Sequence, residues 1–275
     1  MTPQELLAAG EIAQAISAQG ALLRARPTDR DARWFLFVLL CYAGEHDRAI
    51  LQLDSLSQQD PAFGMGSVVY RSLVVADAER AAVLSRAGNP LLPADSPSHI
   101  DTRLDALRAL RAGRASEARD ALERAERARP ALEGKLDGEP FADLLDSDEL
   151  LGPVLEVLAG GHYLWLPLER VRTLQIRPPK HQLELLWLPA ELEDVAGDTA
   201  TVHLPALYFG SAASEDARLR AGQMTEWREQ DGLVVRGFGQ KVLLAQRGGE
   251  EREVALRELR TLEISPPVPS EGRLG

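Results

Sequence analysis

The stretch that most limits what this chain can fold into is residues 30–61, RDARWFLFVLLCYAGEHDRAILQLDSLSQQDP. Its dense apolar half predicts a helix from about Asp31 to Ala43. Gly44 ends that helix, because glycine takes left-handed dihedrals cheaply at a helix C-terminus. A second helix is predicted from about Asp47 to Gln58, with Ala49, Leu53 and Leu56 on one stripe. Pro61 stops it, since proline cannot continue a helix. The result is a helical hairpin with fixed punctuation, and the punctuation recurs. Gly44 and Pro61 are 17 residues apart, as are Gly10 and Pro27, and Gly113 and Pro130. Ala15, Ala49 and Ala118 each follow their glycine by five positions. A small residue there lets two helix axes approach closely.

The first two units are offset by 34 residues, the tetratricopeptide (TPR) period, and the second and last by 69, two periods plus one. The packing is TPR-like, not consensus. Phe37 stands where such units usually carry glycine, and Arg33 where they usually carry tryptophan. The opening unit, with helices at about 3–9 and 11–25, is a truncated hairpin. Residues 65–86 read as one irregular helix, 87–98 as a proline-rich loop, and two further helices follow to about Ala112 and Arg129.

After Pro130 the pattern changes. Residues 131–160 read as a connector with two short helices. From 161 to 264, runs such as HYLWLPL, RVRTLQI and TATVHLPALYFG alternate or are continuously apolar between glycines and prolines, as strands do. The predicted fold class is therefore α+β: a TPR-like helical domain (1–130), a helical connector (131–160), a mostly antiparallel β domain (161–264) and a flexible Pro/Gly/Ser tail (265–275).

Composition narrows the function. The 275 residues carry a formal net charge of −11, which disfavours nucleic acid and anionic membrane surfaces as partners. The arginines between Arg103 and Arg129 interleave with acids at helical spacing and read as a solvated face. A single cysteine, Cys41, excludes a disulfide framework. The longest apolar stretch, Trp34 to Ala43, is ten residues, too short to span a bilayer. The N-terminus lacks the basic and apolar regions of a secretory signal, so a cytoplasmic location is expected.

No nucleophile elbow, phosphate loop or zinc helix is present. Gly237-Phe238-Gly239 reads as a tight hairpin. Asp146-Ser147-Asp148 resembles the opening of a calcium loop, but Leu150 and Val157 occupy positions that need oxygen ligands. Those acids read better as helix caps. The histidines are scattered singly, and neither a metal nor another cofactor is expected. Trp165 and Trp187 sit beside prolines in strands, which predicts burial.

Three segments carry a family resemblance. Asp146, Asp148, Leu151-Gly152-Pro153 and Glu156 form a D-x-D…L-G-P…E pattern. Tyr163, Trp165 and Pro167 form a Y-x-W-x-P strand. Trp187, Pro189 and Ala190 form a W-x-P-A strand. Arg86-Ala87-Gly88-Asn89-Pro90, Thr225-Glu226-Trp227 and Gly239-Gln240 fit as well. In order and spacing these resemble the ImpE family, also called TagJ or SciE-type virulence protein, an accessory of the type VI secretion system. Leu150 departs from the arginine expected before the L-G-P, which weakens the case for an ion pair at the acidic turn. The resemblance implies a non-enzymatic cytoplasmic adaptor. It would bind the N-terminal helix of the small sheath subunit and influence sheath assembly or recycling by an AAA+ ATPase.

The residues offer a matching surface. In a TPR frame Trp34, Val38, Cys41 and Tyr42 turn towards the concave groove, while Leu36, Leu39 and Leu40 supply the inward stripe. An apolar groove of that kind accepts an amphipathic helix, unless the rest of the chain covers it. Two alternatives stand beside this reading. One is an enzyme with a site around His162, His181 or His203 and Asp194 or Asp198. The other is a generic TPR-like interaction scaffold.

Overall fold

The computed structural model describes residues 1–265. The tail expected from 265 lies, beyond Ser265, outside the described residues. The chain is α+β, with a helical half followed by a mostly antiparallel β half.

The helical half contains α1 (Pro3–Ala8), α2 (Ile12–Ala25), α3 (Arg30–Tyr42), α4 (His46–Gln59), α5 (Pro61–Gly66), α6 (Val68–Ser85), α7 (Ser98–Arg111) and α8 (Ala115–Ala128). Gly10, Gly44 and Gly113 have φ of +75°, +68° and +68°. Each donates its N–H to the carbonyl two residues before the cap, and the following residue reaches one carbonyl further back, as Gly44 N to Cys41 O and Glu45 N to Leu40 O. These paired bonds satisfy the orphan carbonyls of a helix end in a Schellman motif. Ala15, Ala49 and Ala118 are fully buried. One difference concerns Pro61, which also opens α5, because the first helical position needs no N–H donor. The predicted helix at 65–86 is accordingly split between α5 and α6.

The β half contains β1 (Gly134–Leu136), β2 (Glu139–Phe141), β3 (Asp143–Asp146), β4 (Val154–Ala159), β5 (His162–Pro167), β6 (Val171–Ile176), β7 (Trp187–Asp194), β8 (Thr199–Pro205), a short α9 (Ala217–Ala221), β9 (Thr225–Gln230), β10 (Val234–Gly239), β11 (Val242–Arg247), β12 (Glu250–Ala255) and β13 (Thr261–Ile264). The main sheet has the order β2-β1-β13-β6-β7-β8-β4-β5, a smaller one β12-β11-β3, and β9 pairs with β10. The strand ladders are antiparallel. Leu91, in the loop after α6, clamps the outer edge of β5: its N–H donates to Tyr163 O at 2.9 Å and its carbonyl accepts from Trp165 N at 3.0 Å. That contact covers an edge that would otherwise invite pairing.

Residues 131–160 are not a helical connector; they hold β1 to β4. Their apolar runs are too short for amphipathic helices, and VLEVLA is buried on both faces except at its end, as a covered strand requires. Asp146 and Asp148 therefore cap no helix. They stabilise the turn after β3, where Asp146 accepts from Asp148 N and Asp148 from Leu150 N. Gly237-Phe238-Gly239 is not a hairpin turn but the end of β10, where a Cβ on Gly237 would lie 2.5 Å from the Tyr208 ring.

The apolar interior falls into two clusters. One lies between sheets and includes Leu174, Leu188, Leu204 and Leu262. The other joins the helices to the β half, running from Phe37, Leu40 and Leu107 to Tyr163, Trp165 and Trp187. Ala49 sits where α4 crosses α3, with no exposed surface. Ala49→Leu is expected to overpack that crossing and destabilise the fold by about 1–3 kcal/mol. Thermal unfolding of the variant checks it; an unchanged melting temperature would remove the crossing from the packing argument.

Candidate functional site

The first candidate surface lies along α3. Trp34 is partly buried and packs against Phe37, Phe63 and Tyr70, with ring centroids 4.9–5.8 Å away. Val38, Cys41 and Tyr42 are buried. The segment Gln182–Leu186 straps the Tyr42 end of this surface. Tyr42 Oη donates to Gln182 O at 2.6 Å, Arg257 Nε to Leu185 O at 2.9 Å, and Ala206 N to Leu186 O at 2.9 Å. Burial pushes the Tyr42 phenol up to about 12, so it remains a donor at neutral pH. Burial and then Asp77 raise the Cys41 thiol, which leaves it unreactive.

Two cavities remain beside this strap. One of about 400 Å³ is lined by Trp34, Val38, Val69, Tyr70, Leu183 and Trp187, among others. The other, of about 700 Å³, is lined by Cys41, Tyr42, His46, Asp77, Trp187 and Tyr208, among others. The four residues expected on the groove thus border two cavities separated by a strap, not one open channel. His181, His203 and Glu184 also line the smaller cavity. Glu184 N donates to His181 O at 3.0 Å, but no side-chain hydrogen bond or ion pair joins the three among the described residues. Asp194 and Asp198 bond to each other in the β7–β8 turn, and His162 pairs with Glu79 at 3.6 Å. The structure does not bring those histidines and aspartates together. It shows no group of metal-ligating side chains among the described residues.

The second feature is a buried charge network where the two halves meet. Arg80 of α6 grips Glu156 of β4 through Nε at 2.8 Å and Nη2 at 3.0 Å. Lys241, between β10 and β11, reaches Glu156 at 2.9 Å and Asp146 at 2.6 Å. Tyr163 Oη donates to Glu156 at 2.5 Å and accepts from Trp165 Nε1 at 2.6 Å. Tyr208 Oη donates to Asp146 at 2.8 Å. Arg236 Nε lies 2.9 Å from both oxygens of Asp148. Burial alone would raise the Glu156 carboxyl; Arg80 and then Lys241 outweigh it and hold it far below the ordinary carboxylate range. Burial raises Asp146, with Lys241 opposing. The acidic turn therefore does hold ion pairs, contrary to the expectation drawn from Leu150. Leu150 is buried, and Arg103 serves the same turn from α7, donating to the carbonyls of Glu149 and Leu150 at 2.6 and 3.2 Å. Gly152 beside it has φ of +48°, a left-handed conformation that favours glycine, and the Arg103 guanidinium lies 2.5 Å from where a Cβ would sit.

A curated relative, the "Type VI secretion system accessory component TagJ" of Pseudomonas aeruginosa, is 34% identical over 266 residues, spanning 97% of this chain and 92% of its own length. The sequence model of the ImpE protein family matches residues 138–263. The chain belongs to the ImpE/TagJ family. An X-ray crystal structure of a Vibrio parahaemolyticus protein shares the fold, with a TM-score of 0.87 at 22% identity, covering 96% of this chain and 97% of the other.

The ImpE/TagJ pattern and the buried network coincide. Asp146, Asp148, Glu156, Tyr163 and Trp165 are its members. Trp187 is buried where the two cavities meet. Pro153 and Pro167 are buried at the ends of β4 and β5, and Pro189 lies in β7 opposite His203. Sequence reasoning missed Arg80, Lys241, Tyr208 and Arg236. The only signal was a lone cation inside an apolar run, as Lys241 before VLLA.

Glu156→Gln leaves Arg80 and Lys241 short of their shared counter-charge and is expected to cost about 3–5 kcal/mol. Glu156 has a depressed folded-state pKa. Its stabilisation is therefore present above the ordinary glutamate value and lost as pH falls below it. Asp146, raised, acts in the opposite sense, so the comparison is wild type against variant. Denaturant unfolding across the acid limb should show a steeper loss in the wild type, and parallel curves would refute the linkage.

Proposed function

We propose that this chain is a non-enzymatic, cytoplasmic accessory of a type VI secretion system that binds the N-terminal helix of the small sheath subunit. Through that contact it would influence sheath assembly, or recycling of the sheath by its AAA+ ATPase. The secretion role is supported by the name of the Pseudomonas relative. Among the described residues no helix is long and apolar enough to cross a membrane.

The observation that carries the binding reading is the cavity beside Trp34. Trp34, Val38, Val69, Tyr70 and Leu73 present an apolar wall from two helices, with Trp187 opposite. Val69 is 54% exposed there. An amphipathic helix presents anchors at i, i+3/i+4 and i+7, and aromatic pockets of this kind carry much of the energy in such interfaces. The histidines at the cavity edge add polar contacts without forming a catalytic hydrogen-bonded pair.

Calorimetric titration with a synthetic peptide of the sheath subunit's N-terminal helix tests this. Val38 is buried, so a charge there would disturb α3 itself. Trp34→Ala with Val69→Asp changes the open wall instead. It is expected to weaken binding about tenfold or more, equal to roughly 1.4 kcal/mol. Leu51→Asp, at an exposed α4 position outside the cavity, is expected to have no effect. Equal affinity for the wild type and a folded Trp34/Val69 variant would move the site elsewhere.

A further inference from the structure

The loop Arg86-Ala87-Gly88-Asn89, part of the family pattern, meets the C-terminal end of α7 and closes a cleft of about 390 Å³. Arg86, Arg108 and Arg111 line it, and no carboxylate does. In a chain of net charge −11 this is unusual. Along α8 the pattern is different: Arg114 faces Glu117, and Arg119 and Arg127 face Glu123. Arg86 is exposed and has no ion-pair partner among the described residues. Arg108 pairs with Asp105 at 2.8 Å, with both side chains largely exposed, and its other partner is the neutral Asn89 amide, whose oxygen accepts from Nη2 at 3.1 Å. Arg111 donates to backbone carbonyls, Val83 O and Gly88 O, at 2.8 Å each. Burial and then the neighbouring Arg108 lower the Arg111 pKa.

Helix geometry accounts for part of this charge. The C-termini of α6 and α7 meet at the cleft, each worth about half a negative charge. Together with Asp105 they still fall short of three guanidiniums. We propose that this cleft is a docking site for a carboxylate-rich segment of a partner protein. Guanidinium groups pair with carboxylates through two parallel hydrogen bonds. A short acidic segment matches a cleft of this size. An extended polyanion such as nucleic acid would bring its remaining charges against an acidic body. The proposal stands independently of the α3 cavity and its occupant.

Fluorescence polarisation of fluorescein-labelled hexaglutamate against the full chain, at low ionic strength, tests it. Hexaglutamate is expected to bind with an affinity that falls as salt rises, and hexaglutamine is expected not to bind. Arg86→Ser with Arg108→Ser removes two exposed charges and leaves Arg111 holding α6 to its loop. That variant should bind about tenfold more weakly or worse, with unchanged thermal unfolding. Asp105→Asn removes the competing acid and should tighten binding, a gain that damage to the fold would not produce. Equal affinity in wild type and both variants would overturn the proposal. So would displacement of the peptide by inorganic phosphate at matched ionic strength, or tighter binding of a labelled single-stranded oligonucleotide.

Discussion

Glu156 is held between a cation from the helical half and a cation from the β half, and the rest of the molecule is arranged around that contact. Its carboxylate is about 99% shielded from solvent and accepts from Arg80, Lys241 and Tyr163. Each partner extends the chain of contacts. Lys241 passes it to Asp146 on β3, Tyr163 passes it to Trp165 on β5, and Arg80 also donates to Leu207 O after β8. A helix, the main sheet and the smaller sheet are thereby tied through one carboxylate. The directional bonds matter more than their net energy. A buried ion pair often does no better than a well-packed apolar substitute, whereas removing one partner is costly. What the network supplies is a fixed geometry, because a shift of α6 on β4 would take the buried Arg80 guanidinium off its two bonds to Glu156.

That constraint explains which parts of the fold were legible in the sequence. Helix ends are written locally: a left-handed glycine, a small residue at the crossing and a proline beyond need only neighbours in the chain to act. Gly44 and Ala49 were therefore readable. The residues from 131 to 160 were not, because VLEVLA has no period that separates a doubly covered strand from a buried helix. Its state is decided by β5 and β8, which lie elsewhere in the sequence. The charge network was half visible. Its acids and aromatics belong to the family pattern, but Arg80 and Lys241 are single cations in apolar surroundings, and only the fold shows that they meet.

The same distinction between local and distant information governs the α3 surface. A helix with apolar residues on two stripes must bury both or leave one for a partner. The sequence shows the two stripes but cannot show the strap, since Gln182 reaches Tyr42 across 140 residues. Once the strap is in place, the question is settled unevenly along the helix. At the Cys41 and Tyr42 end the chain satisfies its own apolar surface, and a hydrogen bond fixes the cover. At the Trp34 end the aromatic ring packs on Phe37, Phe63 and Tyr70 of the helical half, and Val69 beside it stays open to solvent. A recognition surface in such a fold is the part of an apolar stripe that intramolecular packing does not reach. Under the proposed binding role, that part is Trp34 of α3 together with the exposed Val69 of α6.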